Sequence, residues 1–399
     1  MKLNRMLIKG SFILLVAFGI SSAINFIFQL TMARMLTIVE YGILATLSSI
    51  IYIFLIFTES IQTIMTKYSA NEREIGRLKG LLKKSSLKSI SFAWMFFIVY
   101  LVLSIPLSFL LKINYLLLSF NGLVIFSAFS LPIPRGIMQG RKMFKPLGVN
   151  MVIESVAKLA LGVLFVFIGW SVLGAVAGIL LGGVLAFAIS FMPLKDIISS
   201  KKAEAKTVGI YGYAKPAFLV TAFIIIFYSI DIVIAKIFFI PEVAGTYAVA
   251  SILAKSVFWG TLPISKAMFP MTAENSKKKS ENVFSSSLLM VIAVIATALI
   301  IFISVPDFII TLFSGKILEE ASSILVYLGI GTGLISLANL VILYKLSLGK
   351  TRGHQSLLIF VLLEIALLSY FSNNLFQFSI AFITASAALL WGSIILMND

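Results

Sequence analysis

The chain has 399 residues, of which 60% are apolar and only 12% charged, and its mean hydropathy is +1.07; a water-facing domain carries about 25% charged residues, so a soluble fold is excluded. There is no cysteine, which rules out disulfides, thiolate metal sites and cysteine nucleophiles, and the single histidine, His354, cannot form a histidine metal cluster. The net charge of +16 would suggest nucleic acid in a polar protein, but here it has to be mapped along the chain first.

Crossing about 30 Å of hydrocarbon takes roughly 20 apolar residues. Twelve such runs follow one another, at about 10–33, 41–63, 89–111, 114–134, 147–169, 171–192, 216–239, 243–264, 285–306, 321–344, 356–372 and 375–396. They lack the alternation of barrel strands, and in lipid each backbone polar group must be paired within its own segment, so they are predicted to be helices. The first run is too long for a signal peptide and has no small-residue cleavage site, so it is expected to remain as a span.

Of the 32 basic residues, 26 fall at the N-terminus or in the even-numbered loops, and only Arg34, Lys112, Lys236 and Lys316 fall in the odd ones. The positive-inside rule then places both termini in the cytoplasm of a multi-pass protein of the cell membrane. The positive charge is mostly topology, and no nucleic-acid partner is expected. Residues 71–88 gather Ile75, Leu78, Leu81 and Leu82 on one helical face, with Arg77, Lys79, Lys83, Lys84 and Lys88 elsewhere. This pattern predicts a segment lying along the inner leaflet against anionic lipid, or an ordinary cytoplasmic extension of two helices.

Punctuation recurs in order at shifts of about 200 residues. Ala33-Arg34 with Glu40 and Tyr41-Gly42 matches Ala235-Lys236 with Glu242 and Val243-Ala244-Gly245; Ser104-Ile105-Pro106 matches Ser304-Val305-Pro306; Gly140-Arg141 with Glu154 matches Gly349-Lys350 with Glu364. Six spans separate the copies, so the repeats are parallel and related by an axis along the membrane normal. The predicted architecture is all-α: a six-helix bundle at 1–192, a cytoplasmic linker at 193–215 and a second six-helix bundle at 216–399.

The stretch from Ala33-Arg34-Met35-Leu36 to Glu40-Tyr41-Gly42, and Met138-Gln139-Gly140-Arg141-Lys142-Met143-Phe144 leading into the helix of Glu154 and Lys158, resemble the polysaccharide-biosynthesis flippases. These belong to the multidrug, oligosaccharidyl-lipid and polysaccharide exporter superfamily. The resemblance implies two bundles in a V around a central cavity. It also implies alternating-access transfer of a polyprenyl-(pyro)phosphate-linked oligosaccharide from the cytoplasmic to the outer leaflet. Membrane lipids and this cargo would be the partners, with H⁺ or Na⁺ coupling and no cofactor.

A charge at mid-bilayer costs about 2.5 to 3.5 kcal/mol on insertion scales, so the few intramembrane charges are the site candidates. Lys255 follows Tyr247 and Ser251 at four-residue intervals and has no acid within a turn, which makes it the first candidate for anion recognition; the rival role is an ion pair with Asp231 or Glu59. Ser21, Asn25 and Gln29 form a similar stripe on the first span, and Arg135 stands where it could receive a phosphate from the cytoplasmic side. Arg34 ends the first span at the outer surface, as a substrate contact or an interfacial anchor. Asp231 and Glu59 are the candidates for ion coupling. Glu154 and Lys158, four apart, are expected to pair on one helix, and Glu364 lies near mid-depth. Gly329, Gly331 and Gly333 sit inside an apolar span and carry no nucleotide signal. Gly174, Gly178 and Gly182 predict close helix packing. No phosphate-binding loop with Gly-Lys-Ser/Thr is present, no metal site is expected, and the chain reads as a transporter rather than an enzyme. A cation-coupled multidrug exporter of the same superfamily is the alternative, and an integral-membrane glycan polymerase or glycosyltransferase is a more distant one.

Overall fold

Apolar residues at every face of a long run can satisfy their backbone only as helix, and helix is what nearly all of the chain forms. The computed structural model describes residues 2–72, 74–201, 203, 211–273, 277–350 and 353–396, and contains no strand among them. Spans one to three are α1 (Lys2–Met35), α2 (Ile38–Asn71) and α3 (Ile75–Leu111). A reciprocal cap starts α2: Glu40 accepts from the Thr37 N–H at 2.8 Å and from its hydroxyl at 2.9 Å, while Thr37 Oγ1 accepts from the Glu40 N–H at 3.3 Å. Span four is broken into α4 (Tyr115–Gly122), α5 (Val124–Ser130) and α6 (Pro132–Gly140). Pro132 and Pro134 open α6 because a proline lacks the N–H that a helix interior needs but the first turn does not.

Spans five and six are α7 (Phe144–Phe165) and α8 (Ser171–Ile189). One wide turn of helix, Val166–Trp170, joins them; Gly169 there has φ 95° and Ser171 φ 47°, so the chain reverses at a residue without a Cβ. A short α9 (Lys195–Ser199) follows. The second half comprises α10 (Tyr211–Phe238), α11 (Pro241–Ala273), α12 (Lys277–Ser304), α13 (Pro306–Ser314), α14 (Glu319–Ser347), α15 (Leu357–Tyr370) and α16 (Leu375–Leu396). The short α13 was not anticipated. Pro106 is absorbed inside α3, whereas its counterpart Pro306 begins a new helix after Val305 leaves helical geometry at φ −142°, ψ 51°.

The chain forms two compact units, one of residues 1–35 and 54–214, the other of residues 36–53 and 215–399. Residues 36–53, which the sequence reading assigns to the first bundle, group with the second unit. The joining stretch predicted at 193–215 lies partly outside the described residues.

In unit 1 the glycine stripe of α8 presses on the backbone of α7. A Cβ on Gly178 would stand 2.5 Å from Gly162 Cα, and one on Gly182 would stand 2.9 Å from the Lys158 nitrogen. Leu78, Leu81 and Leu82 of α3 are buried in a cluster with Met65, Ile133, Ile137, Met138, Leu147, Leu194 and Ile197. These three leucines therefore pack on protein at the basic end of the unit, while Ile75, the fourth residue of that face, is exposed, so the face as a whole does not lie on a leaflet. In unit 2, Gly42 and Gly245, which stand at equivalent places in the repeat, meet directly: a Cβ on Gly42 would lie 2.8 Å from Gly245 Cα. At the far end from the basic loops, Lys316 donates to the Leu36 carbonyl at 2.8 Å. Burial draws its ammonium below the ordinary lysine value while Glu40 pulls the other way, so this odd-loop lysine has a local structural role.

Candidate functional site

Among the described residues, a polar cluster interrupts the apolar helices in each unit. In unit 1 the close approach of α8 fixes the α7 backbone at Lys158, and the lysine side chain reaches across to α1. Its Nζ donates to Asn25 Oδ1 at 2.9 Å and lies 4.4 Å from the centre of the Phe28 ring. Asn25 in turn donates to the Ser21 carbonyl at 2.9 Å and to Ser155 Oγ at 3.2 Å. Ser21 Oγ is buried with no partner. No carboxylate pairs with Lys158 among the described residues.

The expected Glu154–Lys158 pair is thus replaced. Glu154 is engaged by Arg135, whose Nη2 donates to Oε2 at 2.7 Å while its Nε donates to Asn150 Oδ1 at 2.8 Å. A planar guanidinium can span both acceptors, which an ammonium cannot, and Asn150 is itself held by donating to the Ala186 carbonyl at 2.7 Å. Spacing on one helix allows the Glu154–Lys158 contact, but a better-shaped donor arrives from α6. Beside this group, Gly136 and Gly140 bring α6 onto the 54–71 part of α2, where Gln62 donates to Gln139 at 2.8 Å and Thr66 donates to the same amide oxygen at 3.2 Å. Asn150 and Gln62 escaped the sequence reading, and Gln139 entered it only within the Met138-to-Phe144 stretch, although Thr58, Gln62, Thr66 and Ser69 recur at helical spacing on α2.

In unit 2 the stripe of Tyr247, Ser251 and Lys255 on α11 does form, but all three converge on Asp231 of α10. Lys255 Nζ stands 2.7 Å from Oδ1, and Tyr247 OH and Ser251 Oγ donate to Oδ2 at 2.9 and 2.8 Å. Asp231 is 0% and Lys255 3% exposed. The aromatic wall continues through Tyr228, 4.8 Å from the Lys255 ammonium, whose hydroxyl accepts from Trp259 Nε1 at 2.7 Å. Lys255 is therefore not a free cation awaiting an anion: it has the rival role, an ion pair with Asp231, because residues four apart on α11 share the face that meets α10. Asp231, predicted as a coupling residue, has each oxygen occupied. Glu59 is exposed on α2, Arg34 is exposed at the end of α1, and Gln29 is half-buried one turn beyond Asn25.

The family model described as polysaccharide biosynthesis protein matches residues 7–276, well over half of the chain. The chain belongs to this polysaccharide biosynthesis family. No curated protein matches the sequence. Among solved structures, the chain is similar to the inward-facing conformation of a multidrug resistance MATE family transporter of the MOP superfamily, with TM-score 0.77, 12% identity, and coverage of 94% of this chain and 93% of that one. It is also similar to the eukaryotic MATE transporter AtDTX14, with TM-score 0.66, 16% identity and coverage of 99% and 96%. A third likeness is to a MOP superfamily transporter from Pyrococcus furiosus Vc1, described by a reverse polarity of its binding pocket that suggests a different function (TM-score 0.64, 13% identity, coverage of 97% and 94%). At these identities the structures establish the fold, which is that of the MOP transporters.

Proposed function

We propose that the protein is a flippase that moves a polyprenyl-(pyro)phosphate-linked oligosaccharide from the cytoplasmic to the outer leaflet of the cell membrane, with both termini in the cytoplasm. Family membership supports a saccharide cargo, and the fold supports a transporter. The observation that carries the anionic end of the reading is Lys158, a cation in the middle of α7 whose neighbours are an amide and an aromatic ring. Retaining such a charge is costly unless a ligand completes it, and a diphosphate brings that charge only while bound. Arg135 holds Glu154 away from Lys158, so the lysine stays available, and Asn25, Gln29 and Ser155 offer hydroxyl and amide partners to the first sugar. In unit 2 the charge of Asp231 is already met by Lys255, which disfavours a site for cationic drugs there. Alternating access then carries the bound headgroup across while the polyprenyl tail remains in lipid.

Binding tests this. Purified protein in detergent should bind farnesyl pyrophosphate, inorganic pyrophosphate should compete, and Lys158→Gln should weaken binding by roughly tenfold to a hundredfold, the loss of one charge-assisted hydrogen bond. Unchanged affinity in Lys158→Gln, or binding of a lipophilic cation in place of the pyrophosphate, would contradict the reading.

A further inference from the structure

Glu364 in α15 is 0% exposed, and neither of its carboxyl oxygens has a hydrogen-bond partner. Its counterpart in the repeat, Glu154, is satisfied by Arg135. At the shift of 210 that pairs Glu154 with Glu364, Arg135 corresponds to Lys345, whose ammonium donates to the Ile394 carbonyl of α16. The repeat has kept the acid, but the base in the place of Arg135 is turned to α16 and leaves the Glu364 oxygens without a donor.

Among the described residues, the charged and titratable groups acting on Glu364 are Asp231 of α10 and Lys255 of α11, and Glu364 in turn acts on Tyr247 of α11. The neighbouring α16 carries no titratable residue, and the side chain of His354, in the turn before α15, lies outside the described residues. Two carboxyl groups therefore stand near one ammonium, and that ammonium is committed to Asp231 at 2.7 Å. An ionised Glu364 would leave the cluster with one net negative charge, out of water and with no donor to meet it.

We infer that Glu364 is a proton-carrying carboxyl, neutral in this arrangement, whose proton decides whether Lys255 serves one carboxylate or two. With the proton on, Asp231 and Lys255 cancel and α15 has no ionic tie to α10 or α11. On release the O–H bond of Glu364 breaks, its electron pair stays on the carboxylate and the proton passes to water. The Lys255 ammonium is then shared between Asp231 and Glu364, while Tyr247 and Ser251 keep hold of Asp231 Oδ2. Reprotonation from water reverses each step. Because the chain's own ammonium already answers Asp231 at 2.7 Å, the cluster exchanges H⁺ and not a metal cation. The inference rests on the transport reading only for its consequence, that proton release draws three helices of unit 2 together during the cycle.

Infrared difference spectroscopy on the purified full-length protein, with uniform ¹³C-glutamate labelling, reads the proton directly. At neutral pH the unsubstituted protein should show a carboxylic C=O band that shifts with ¹³C-glutamate, gives way to carboxylate bands as pH is raised, and is absent from Glu364→Gln. Should Glu364→Gln fail to fold, the isotope shift and the titration in the unsubstituted protein still decide the matter. A spectrum without any glutamate-sensitive carboxylic band at neutral pH, or with that band intact in Glu364→Gln, overturns the inference, as does a band whose titration depends on sodium concentration. No saccharide lipid is present in this measurement, so a failure of the flippase reading would leave its outcome untouched.

Discussion

Removing Lys255 is the sharpest perturbation of unit 2. Asp231 is buried completely and receives three donors, from Lys255, Tyr247 and Ser251, at 2.7 to 2.9 Å. In Lys255→Met the two hydroxyls remain but the paired ammonium is gone, and breaking a buried pair by deleting one partner costs about 3 to 5 kcal/mol. Replacing both members, Asp231→Asn with Lys255→Met, leaves a neutral amide whose oxygen still accepts from Tyr247 or Ser251, and that double variant should recover most of the loss. The two single changes are therefore non-additive, with a coupling energy of about 2 to 3 kcal/mol. Equilibrium unfolding in mixed micelles with increasing SDS measures all four corners of the cycle. Lys255→Met within about 1 kcal/mol of the unsubstituted protein, or a double variant no more stable than the worse single one, would refute the assignment of this pair as structural.

Arg135→Gln should cost little stability, about 1 kcal/mol, because Glu154 is partly exposed. It frees Glu154 to take Lys158 one turn away, so farnesyl pyrophosphate binding should fall as in Lys158→Gln and return when Glu154→Gln is added. Gly178→Ala should destabilise the protein by roughly 1 to 3 kcal/mol, since its Cβ meets the Gly162 backbone at 2.5 Å, whereas Gly19→Ala, with nothing within 4 Å, should be neutral in the same unfolding assay. Reporter fusions after residues 142, 205 and 350 should report cytoplasm and those after 113, 240 and 316 the opposite side; an external signal at 205 would contradict the orientation read from the basic loops.

The membrane fold was legible because it rests on composition and length: runs long enough to span have to be helical whatever their neighbours. The glycine stripe of α8 was legible for the same reason, since small residues every fourth position can only thin one face of a helix. Which charges pair was not legible. Spacing on α7 correctly puts Glu154 and Lys158 within reach of each other, but the choice between them and Arg135 depends on how α6 is rotated and on Asn150 holding the other side of the guanidinium. Likewise the stripe of Tyr247, Ser251 and Lys255 was visible, but its meeting with Asp231, 24 positions earlier than Lys255, depends on the register of α10 against α11. Residues 36–53 joined unit 2 because Gly42 and Gly245 let two backbones touch, a contact the repeat marked as equivalent without showing that the copies meet.

Flipping itself is the measurement closest to the central claim. Proteoliposomes containing the purified protein and a fluorescent polyprenyl-pyrophosphate-linked saccharide should move the saccharide to the opposite leaflet, read by loss of its fluorescence to a membrane-impermeant quencher. Lys158→Gln, with folding intact, should slow that movement at least tenfold while the unsubstituted protein transports no cationic dye. Saccharide movement at the same rate in protein-free vesicles or in Lys158→Gln, or efficient transport of the cationic dye, would contradict the account.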